Sequence, residues 1–443
     1  VLKTFPKGGV HPKENKFSAG KKIETLPLPK QVIVPVSQQI GAPSTPVVAV
    51  NDMVKTGQVI AKAEGFVSAN IHAPVSGKVT KIDFFTDSSG YKRKAIMIDA
   101  EGDEWADGID RDPVLKKECG MPPEEIIKKI GEAGIVGLGG ATFPSHVKLS
   151  VPKGKTAEYL LINAVECEPY LTSDHQLMME KSDEIMVGIT ILMKALNVNK
   201  ALVGIENNKP DAIELFTKKA KDYKGIEVYA LRVQYPQGGE KQLIKAILNR
   251  EVPSGGLPID VGCVVHNVGT AFAVYEAVQK NKPLIERVVT VTGKSVKNPA
   301  NFLVRIGSPV SQLIEAAGCI PEDTAKIVNG GPMMGKAVNT AEVPVTKGTS
   351  GILMFSEKEA SRKPMLNCIR CGKCVSVCPM GLTPFMQMAV VERQLWEESE
   401  KFHILDCIEC GSCSYTCPAS RPLLDYIRLG KQTVNKIIRA RKA

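Results

Sequence analysis

Residues 368–379 read CIRCGKCVSVCP, and residues 407–418 repeat the pattern as CIECGSCSYTCP. Both runs have the spacing C-x2-C-x2-C-x3-C-P, the ligand spacing of [4Fe-4S] clusters, and they use eight of the chain's 12 cysteines. Backbone that must turn three thiolates onto one face of a cube can be little other than a loop wrapped on that cube. A pair of zinc sites is the competing reading, but structural zinc sites usually pair two C-x2-4-C half-sites across a longer loop. The two prolines and the near-identical repeat favour iron and sulfur. The fourth cysteine of such a run, held by the following proline, points away and ligates the other cluster where two are present. The expected sets are therefore Cys368, Cys371, Cys374 and Cys417 for one [4Fe-4S] cluster, and Cys407, Cys410, Cys413 and Cys378 for the second. Cys119, Cys167, Cys263 and Cys319 fit no ligand spacing and are expected as buried structural thiols.

With 443 residues the chain is too long for a single core, so several domains are expected. Its longest apolar runs, such as MVGITILM at residues 186–193, fall short of the ~20 residues a membrane span needs. No apolar stretch with a small-residue cleavage site opens the sequence, so no secretory signal is expected unless one was removed beforehand, and cluster-type thiolates point to a reducing, cytoplasmic compartment. The net charge of +10 is spread along the chain, with no basic run interleaved with stacking aromatics, so no nucleic-acid partner is expected. Two local excesses remain: seven lysines against two glutamates in residues 1–30, and six Lys/Arg without an acid in residues 428–443. They read as solvated faces, or as docking to acidic lipid or a membrane partner.

Residues 31–100 form short β-rich runs broken by Gly and Pro. From Glu158 strand and helix alternate: EYLLINA, then SDEIMVGITILMKALNV with Ser182 as N-cap, ALVGIE, a helix opening at Pro210, IEVYALRV, and GEKQLIKAILNRE. Such alternation implies a largely parallel sheet with helices on both faces and ligands at the strands' carboxyl ends. Residues 287–350 return to short strands around one helix, SPVSQLIEAAG, as a small α+β unit. One helix, PFMQMAVVERQLWEESEKF, is expected between the cysteine runs and another, PLLDYIRLGKQTVNKIIRA, after them.

The stretch GIVGLGGATFPSHVKL, residues 134–149, places glycines 137, 139 and 140 where bare backbone could approach a phosphate or a ring. A plain tight turn explains the glycines equally well when they are read alone. Their company is more specific. The loop resembles GRGGAGFPTGLKW of the NADH-binding flavoprotein subunit of respiratory complex I. In the same order, NAVECEP (residues 163–169) is similar to that family's NADEGEP, YPQGGEK (235–241) to YICGEET, and VVHNVGT (264–270) to VVNNVET. The resemblance implies that Gly137, Gly139, Gly140, Ala141, Phe143 and Lys148 line the flavin and nicotinamide pocket. It implies that Asn163, Glu166, Tyr235, Gly238, Asn267 and Thr270 contact FMN, and that Glu168 and Glu240 bind NAD(H). The sequence departs from that pattern at Leu138, Thr142, His146, His266 and Gly269. Read without the resemblance, Glu166 and Glu168 alternate on a strand end and could equally face solvent. A nicotinamide delivers two electrons as hydride and a cluster accepts one, so a flavin between them accounts for both sites on one chain.

The pair VKTGQVIA and IHAPVSGKVTKI resembles the half-motifs of lipoyl-type barrel-sandwich domains, with Phe66 at the tip where that family carries a lysine, and the module is expected to act as a scaffold or docking unit. The helix SPVSQLIEAAG and GGPMMG resemble soluble-ligand-binding β-grasp (SLBB) modules. Together these parts resemble the RnfC family, a component of the Rnf complexes, over essentially the whole chain. That resemblance implies a multidomain α/β fold. An N-terminal extension (1–30) precedes a β barrel-sandwich hybrid (31–110), an α/β FMN and NAD(H) domain (111–286), a β-grasp SLBB domain (287–355), and a helical two-[4Fe-4S] ferredoxin-like domain (356–443). It implies a peripheral subunit of an ion-translocating ferredoxin:NAD+ oxidoreductase on the cytoplasmic face of the membrane, beside other subunits that include an iron-sulfur partner. A soluble flavin and iron-sulfur NADH reductase, such as a cobalamin reductase or an amino-acid-reductase partner, is the alternative. A non-redox ligand-binding protein would have no use for eight cluster cysteines. If the fourth cysteines cross between runs, Cys417→Ser should damage the cluster held by Cys368, Cys371 and Cys374. EPR that showed only the Cys407 cluster altered would refute the crossed assignment.

Overall fold

The computed structural model describes residues 2–87 and 90–442, the last by its backbone alone. Val1, Ser88, Ser89 and Ala443, which belong to the lysine-rich start, the barrel-sandwich and the basic C-terminal run, lie outside the described residues.

Two small antiparallel sheets pack as the first unit. One orders its strands Gln31–Pro35, Lys92–Ala100, Gly77–Thr86 and Met53–Val54; the other runs Thr45–Pro46, Val59–Lys62, Ile71–His72. Alternating apolar positions, Val32, Val34, Ile60, Ile71, Ile96 and Ile98, fill the space between them. The tip residue Phe66 is exposed, but its ring meets His146 edge-on at 5.9 Å and its carbonyl lies 3.0 Å from His146 Nε2. The position that would carry a cofactor in lipoyl domains is thus seated on the short helix after the glycine loop.

The second unit is a four-stranded parallel sheet in the order Ile226–Leu231, Ala201–Glu206, Tyr159–Asn163, Cys263–Asn267. Helices cover both faces, as the alternating pattern requires. Ser182–Leu196 and Val268–Lys280 share one core with Leu160, Ile162 and Val203, while Glu240–Leu248 packs with Leu161, Leu202 and Val265 on the other face. Ser182 is the first helical residue and makes no capping hydrogen bond; Lys181 takes the N-cap position because a further helix, Ser173–Glu180, ends against it.

The third unit is a six-stranded mixed sheet around Phe302, Leu313, Ile352 and Met354. Its edge strand, Ile23–Thr25, comes from the N-terminal extension and pairs in parallel with Ala300–Arg305.

In the cysteine region the sequence repeat extends to the backbone. Arg370 and Glu409 share positive φ (54° and 58°), as do Gly372 and Gly411 (72° and 78°), each glycine opening a short helix. The single helix expected between the runs is two, Pro384–Glu392 and Trp396–Lys401, broken where Gln394 turns to φ 57°. Cys263 is buried as expected, but Cys119 and Cys167 are only half-buried and Cys319 is exposed.

The N-terminal extension is a stitch through three units. Lys3 and Val10 bridge to Leu231 and Tyr235, and Gly9 N donates to Val377 O at 2.9 Å. Gly8 has φ +68°, and a Cβ there would stand 2.6 Å from the Cys378 carbonyl carbon. Gly8→Ala therefore meets both backbone strain and a clash with main chain, which cannot rotate away. The variant should loosen the cysteine domain from the parallel sheet. Limited proteolysis across the exposed residues 361–371 should run several-fold faster than in the parent, with far-UV circular dichroism preserved.

Candidate functional site

In the parallel sheet the chain order reverses between Tyr159–Asn163 and Cys263–Asn267, and ligands of open α/β sheets bind in the crevice at such a point. Asn163 and Asn267 end these two strands directly opposite each other. Asn267 Oδ1 caps the Val268–Lys280 helix by accepting from Gly269 N (2.8 Å) and Thr270 N (3.4 Å). Thr270 Oγ1 accepts from Leu138 N at 3.0 Å, which fixes the glycine loop over this helix start. A Cβ on Gly139 would stand 3.1 Å from Asn267 Cβ, so the bare position lets the loop lie close against the strand end. Asn163 Nδ2 donates to Gly238 O at 2.8 Å and brings in the Tyr235–Lys241 stretch.

The loop's neck is closed by Gly137 N donating to Phe143 O (2.9 Å), with Gly139, Gly140 and Ala141 left exposed. Lys148 spans the mouth, donating to Glu240 Oε1 at 2.7 Å and to Val265 O at 3.0 Å. Gly137, Gly139, Gly140, Lys148, Asn163, Gly238, Glu240, Asn267 and Thr270 thus come from four separate segments to one end of the sheet.

Glu166 and Glu168 are not idle at the strand end; each is engaged, on different neighbours. Glu166, at φ 47°, accepts from Ser173 Oγ, Asp174 N and His175 N at 3.3, 2.7 and 3.1 Å, at the start of Ser173–Glu180. Asp174 in turn accepts from Asn267 Nδ2 at 2.7 Å, so this carboxylate pair is tied to the crevice. Glu168 turns the other way and accepts Met333 N (3.1 Å) and Met334 N (2.9 Å) of the SLBB loop, while Glu240 pairs with Lys148. Desolvation, slightly offset by those two N–H donors, pushes Glu168 up to about 7.

Lys16 of the extension carried no signal that marked it out among the seven lysines. Its ammonium donates to the carbonyls of Glu166 (3.0 Å), Glu168 (2.9 Å) and Leu171 (2.6 Å), so it positions the whole NAVECEP stretch. Lys209, buried, reaches Val165 O at 2.8 Å from below and pairs with Glu206 at 3.7 Å.

The cysteines separate into two electrostatic groups. Cys374 feels the thiols of Cys417, Cys368 and Cys371. Cys378 acts on Cys407, Cys410 and Cys413. The latter four line a single cavity together with Pro379, Met380 and Leu424. Among the described residues no three His, Cys, Asp or Glu side chains gather as one metal ion would need. Burial pushes Cys407 and Cys413 up to about 12, and coordination to a metal centre would hold such thiols as thiolates. Main-chain N–H groups of Glu409 and Leu382 already point at Cys407 and Cys378 sulfur, at 3.3 and 3.4 Å. The four-thiol donor set and these N–H groups at sulfur fit a [4Fe-4S] cluster.

This second cage faces the parallel sheet. Tyr235, buried, donates its OH to Cys410 O at 2.8 Å and is clustered with Val10, Cys167, Met333 and Val377. Ser254 Oγ and Gly255 N bond Asp406, just before the cage. The first cage opens outward, with Cys368 and Cys371 exposed.

Family models match four consecutive stretches: the RnfC barrel sandwich hybrid domain over residues 3–103, the Nuo51 FMN-binding domain over 130–276, the SLBB domain over 288–337 and a 4Fe-4S dicluster domain over 367–420. One component of the proton-translocating ferredoxin:NAD(+) oxidoreductase complex of Clostridium ljungdahlii is 48% identical over 431 residues, 97% of this chain and 93% of its own. The chain belongs to the RnfC family. The equivalent component of the Na(+)-translocating ferredoxin:NAD(+) oxidoreductase complex of Acetobacterium woodii is 44% identical over 97% of this chain and 96% of its own length, and that of the ion-translocating oxidoreductase complex of Rhodobacter capsulatus is 45% identical over 86% and 73%. In this RnfC-family chain the FMN-binding stretch coincides with the switch-point crevice, and the dicluster stretch with the two cages. The crevice suits a flavin on its own geometry. Ser145 Oγ, Gln237 Nε2 and His266 Nε2, beside the loop and the strand ends, are buried without a partner, and the exposed glycines leave room at the mouth.

Glu168, Glu206 and Asp174 are each raised to about 7, desolvation leading. A carboxyl raised above its unfolded value near 4.5 takes up a proton on folding between about pH 4.5 and 7. Its stabilising contribution is full below that window and is lost as pH rises through about 7. Glu168→Gln should flatten this decline, visible as a shallower dependence of the urea midpoint on pH between about 5 and 8.

Proposed function

We propose that this chain is the NAD(H)-binding electron-transfer subunit of an ion-translocating ferredoxin:NAD+ oxidoreductase, passing electrons between NAD(H), FMN and two [4Fe-4S] clusters. It works peripherally at the cytoplasmic face of the membrane and exchanges electrons with an iron-sulfur subunit of the same complex. No helix among the described residues is long and apolar enough to cross a bilayer, in keeping with ion movement through other subunits.

The observation that carries this reading is the direct seam between crevice and cage, where Tyr235, next to the Gly238 turn that Asn163 holds, bonds the Cys410 carbonyl. FMN, when bound, supplies the exchange between hydride pairs and single electrons. Gly137, Gly139 and Gly140 provide backbone without side chains, with Ala141 and Phe143 closing the loop beside them. Asn163, Glu166, Tyr235, Gly238, Asn267 and Thr270 hold the flavin end, and Lys148 with Glu240 guards the nucleotide mouth. Glu168 is assigned to NAD(H) as well, through its place in NAVECEP beside the same strand end. Cys407, Cys410, Cys413 and Cys378 form the cage next to the flavin domain; Cys368, Cys371, Cys374 and Cys417 form the outer one.

Reconstituted anaerobically with FMN, iron and sulfide, the chain should bleach its flavin on titration with NADH and then develop EPR signals from both clusters. Flavin bleaching with oxidised clusters throughout would overturn the proposed route. Glu240→Gln should raise the KM for NADH several-fold while FMN content stays at one per chain.

A further inference from the structure

We infer that the surface around Cys368 and Cys371 is the docking face for a redox protein with an acidic rim and an iron-sulfur centre, and that electrons enter or leave the chain across it. This rests on the function proposed above and names the kind of partner that fits its outer end.

Every residue from 361 to 373 is exposed. From residue 361 to residue 391 the sequence contains no acid, and its cations Arg362, Lys363, Arg370 and Lys373 all lie in that exposed stretch. Nearby acids are already met by arginines: Asp425 pairs with Arg362 at 2.8 Å and Glu392 with Arg421 at 3.3 Å. The surface is therefore positive. Its centre is apolar, with Met365, Leu366, Ile369 and Tyr415 exposed by 52%, 61%, 68% and 54%. The corresponding position in the second run, Ile408, is covered by the Tyr235 cluster, so the repeat itself supplies a docked counterpart to this open face. The face is held in place: Leu366 N donates to Ala419 O at 3.0 Å, and Arg421 reaches Leu366 O at 3.5 Å.

An apolar centre ringed by one sign of charge suits the small, electrostatically steered interfaces of electron-transfer partners. The group beneath it moves single electrons, so its occupant must be able to give or take one; a lipid headgroup cannot. The step is outer-sphere: one electron leaves one cluster and arrives at the other, with no bond made and no proton moved.

The test compares washed membranes carrying the whole complex with either the parent chain or K363E/R370E/K373E. Ferredoxin-dependent NAD+ reduction at low ionic strength should fall roughly tenfold in the variant. NADH:ferricyanide activity should be unchanged and both clusters should remain present by EPR, and added salt should slow the parent far more than the variant. An unchanged ferredoxin-linked rate with intact clusters overturns the inference, as does a parent rate insensitive to salt, which decides the matter even if the variant loses a cluster. Flotation of the parent chain, but not the variant, with phosphatidylserine vesicles would assign the face to lipid and overturn it too. Failure of the underlying function reads out differently, as absent NADH:ferricyanide activity in the parent.

Discussion

One ammonium, that of Lys16, holds the nucleotide crevice in register with everything around it. Three carbonyls within hydrogen-bond reach compensate a group whose desolvation lowers its pKa, and without them the charge would be costly to enclose. Because Lys16 arrives from the N-terminal extension, the NAVECEP stretch is fixed by a chain that also bridges to Leu231 and Tyr235, touches Val377 and adds a strand to the SLBB sheet. The crevice, the inner cage and the SLBB loop are thereby referred to one tether. Electron transfer needs fixed separations between centres, and a flexible linker between flavin and cluster domains could not supply them.

The same economy appears at the C-terminal helix. Arg428 reaches Glu409 and the Met334 carbonyl, and Lys431 reaches Glu409 and the Cys407 carbonyl. Two cations that the sequence left as solvated or membrane-facing are spent on the second cage, balancing the acid that the repeat places inside it. Lys16, Arg428 and Lys431 are in this respect internal wiring, while Lys7, Lys13, Lys21, Lys22, Lys30, Lys436 and Arg439 stay exposed.

Much of this was legible in the sequence. The cysteine spacing carried its own geometry, and the alternating strands and helices carried the parallel sheet, because each depends on residues close together in the chain. The switch-point crevice was legible through four short motifs brought together by the strand order. What local pattern could not show was direction: Glu166 and Glu168, two residues apart, turn to opposite partners because the backbone twists to positive φ at Glu166. Lys16 and the Phe66 tip on His146 were hidden for the same reason, since their meaning lies in contacts across 80 residues or more. The break at Gln394 was hidden differently, by a run of good helix formers with no Gly or Pro to mark the turn.

Two cages with the same ligands and the same backbone turns still differ as electron carriers, because their surroundings differ. Cluster potentials respond to solvent, to charge and to hydrogen bonds at sulfur. The second cage has buried Cys410 and Cys413, a neutralised Glu409 and the Tyr235 cluster over it; the first has two exposed cysteines, exposed Arg370 and Lys373, and open solvent. A duplicated motif set in one uniform environment would give two equivalent centres and no distinction between inside and outside. Docking one copy against the flavin domain and leaving the other bare turns the repeat into a path with two different ends.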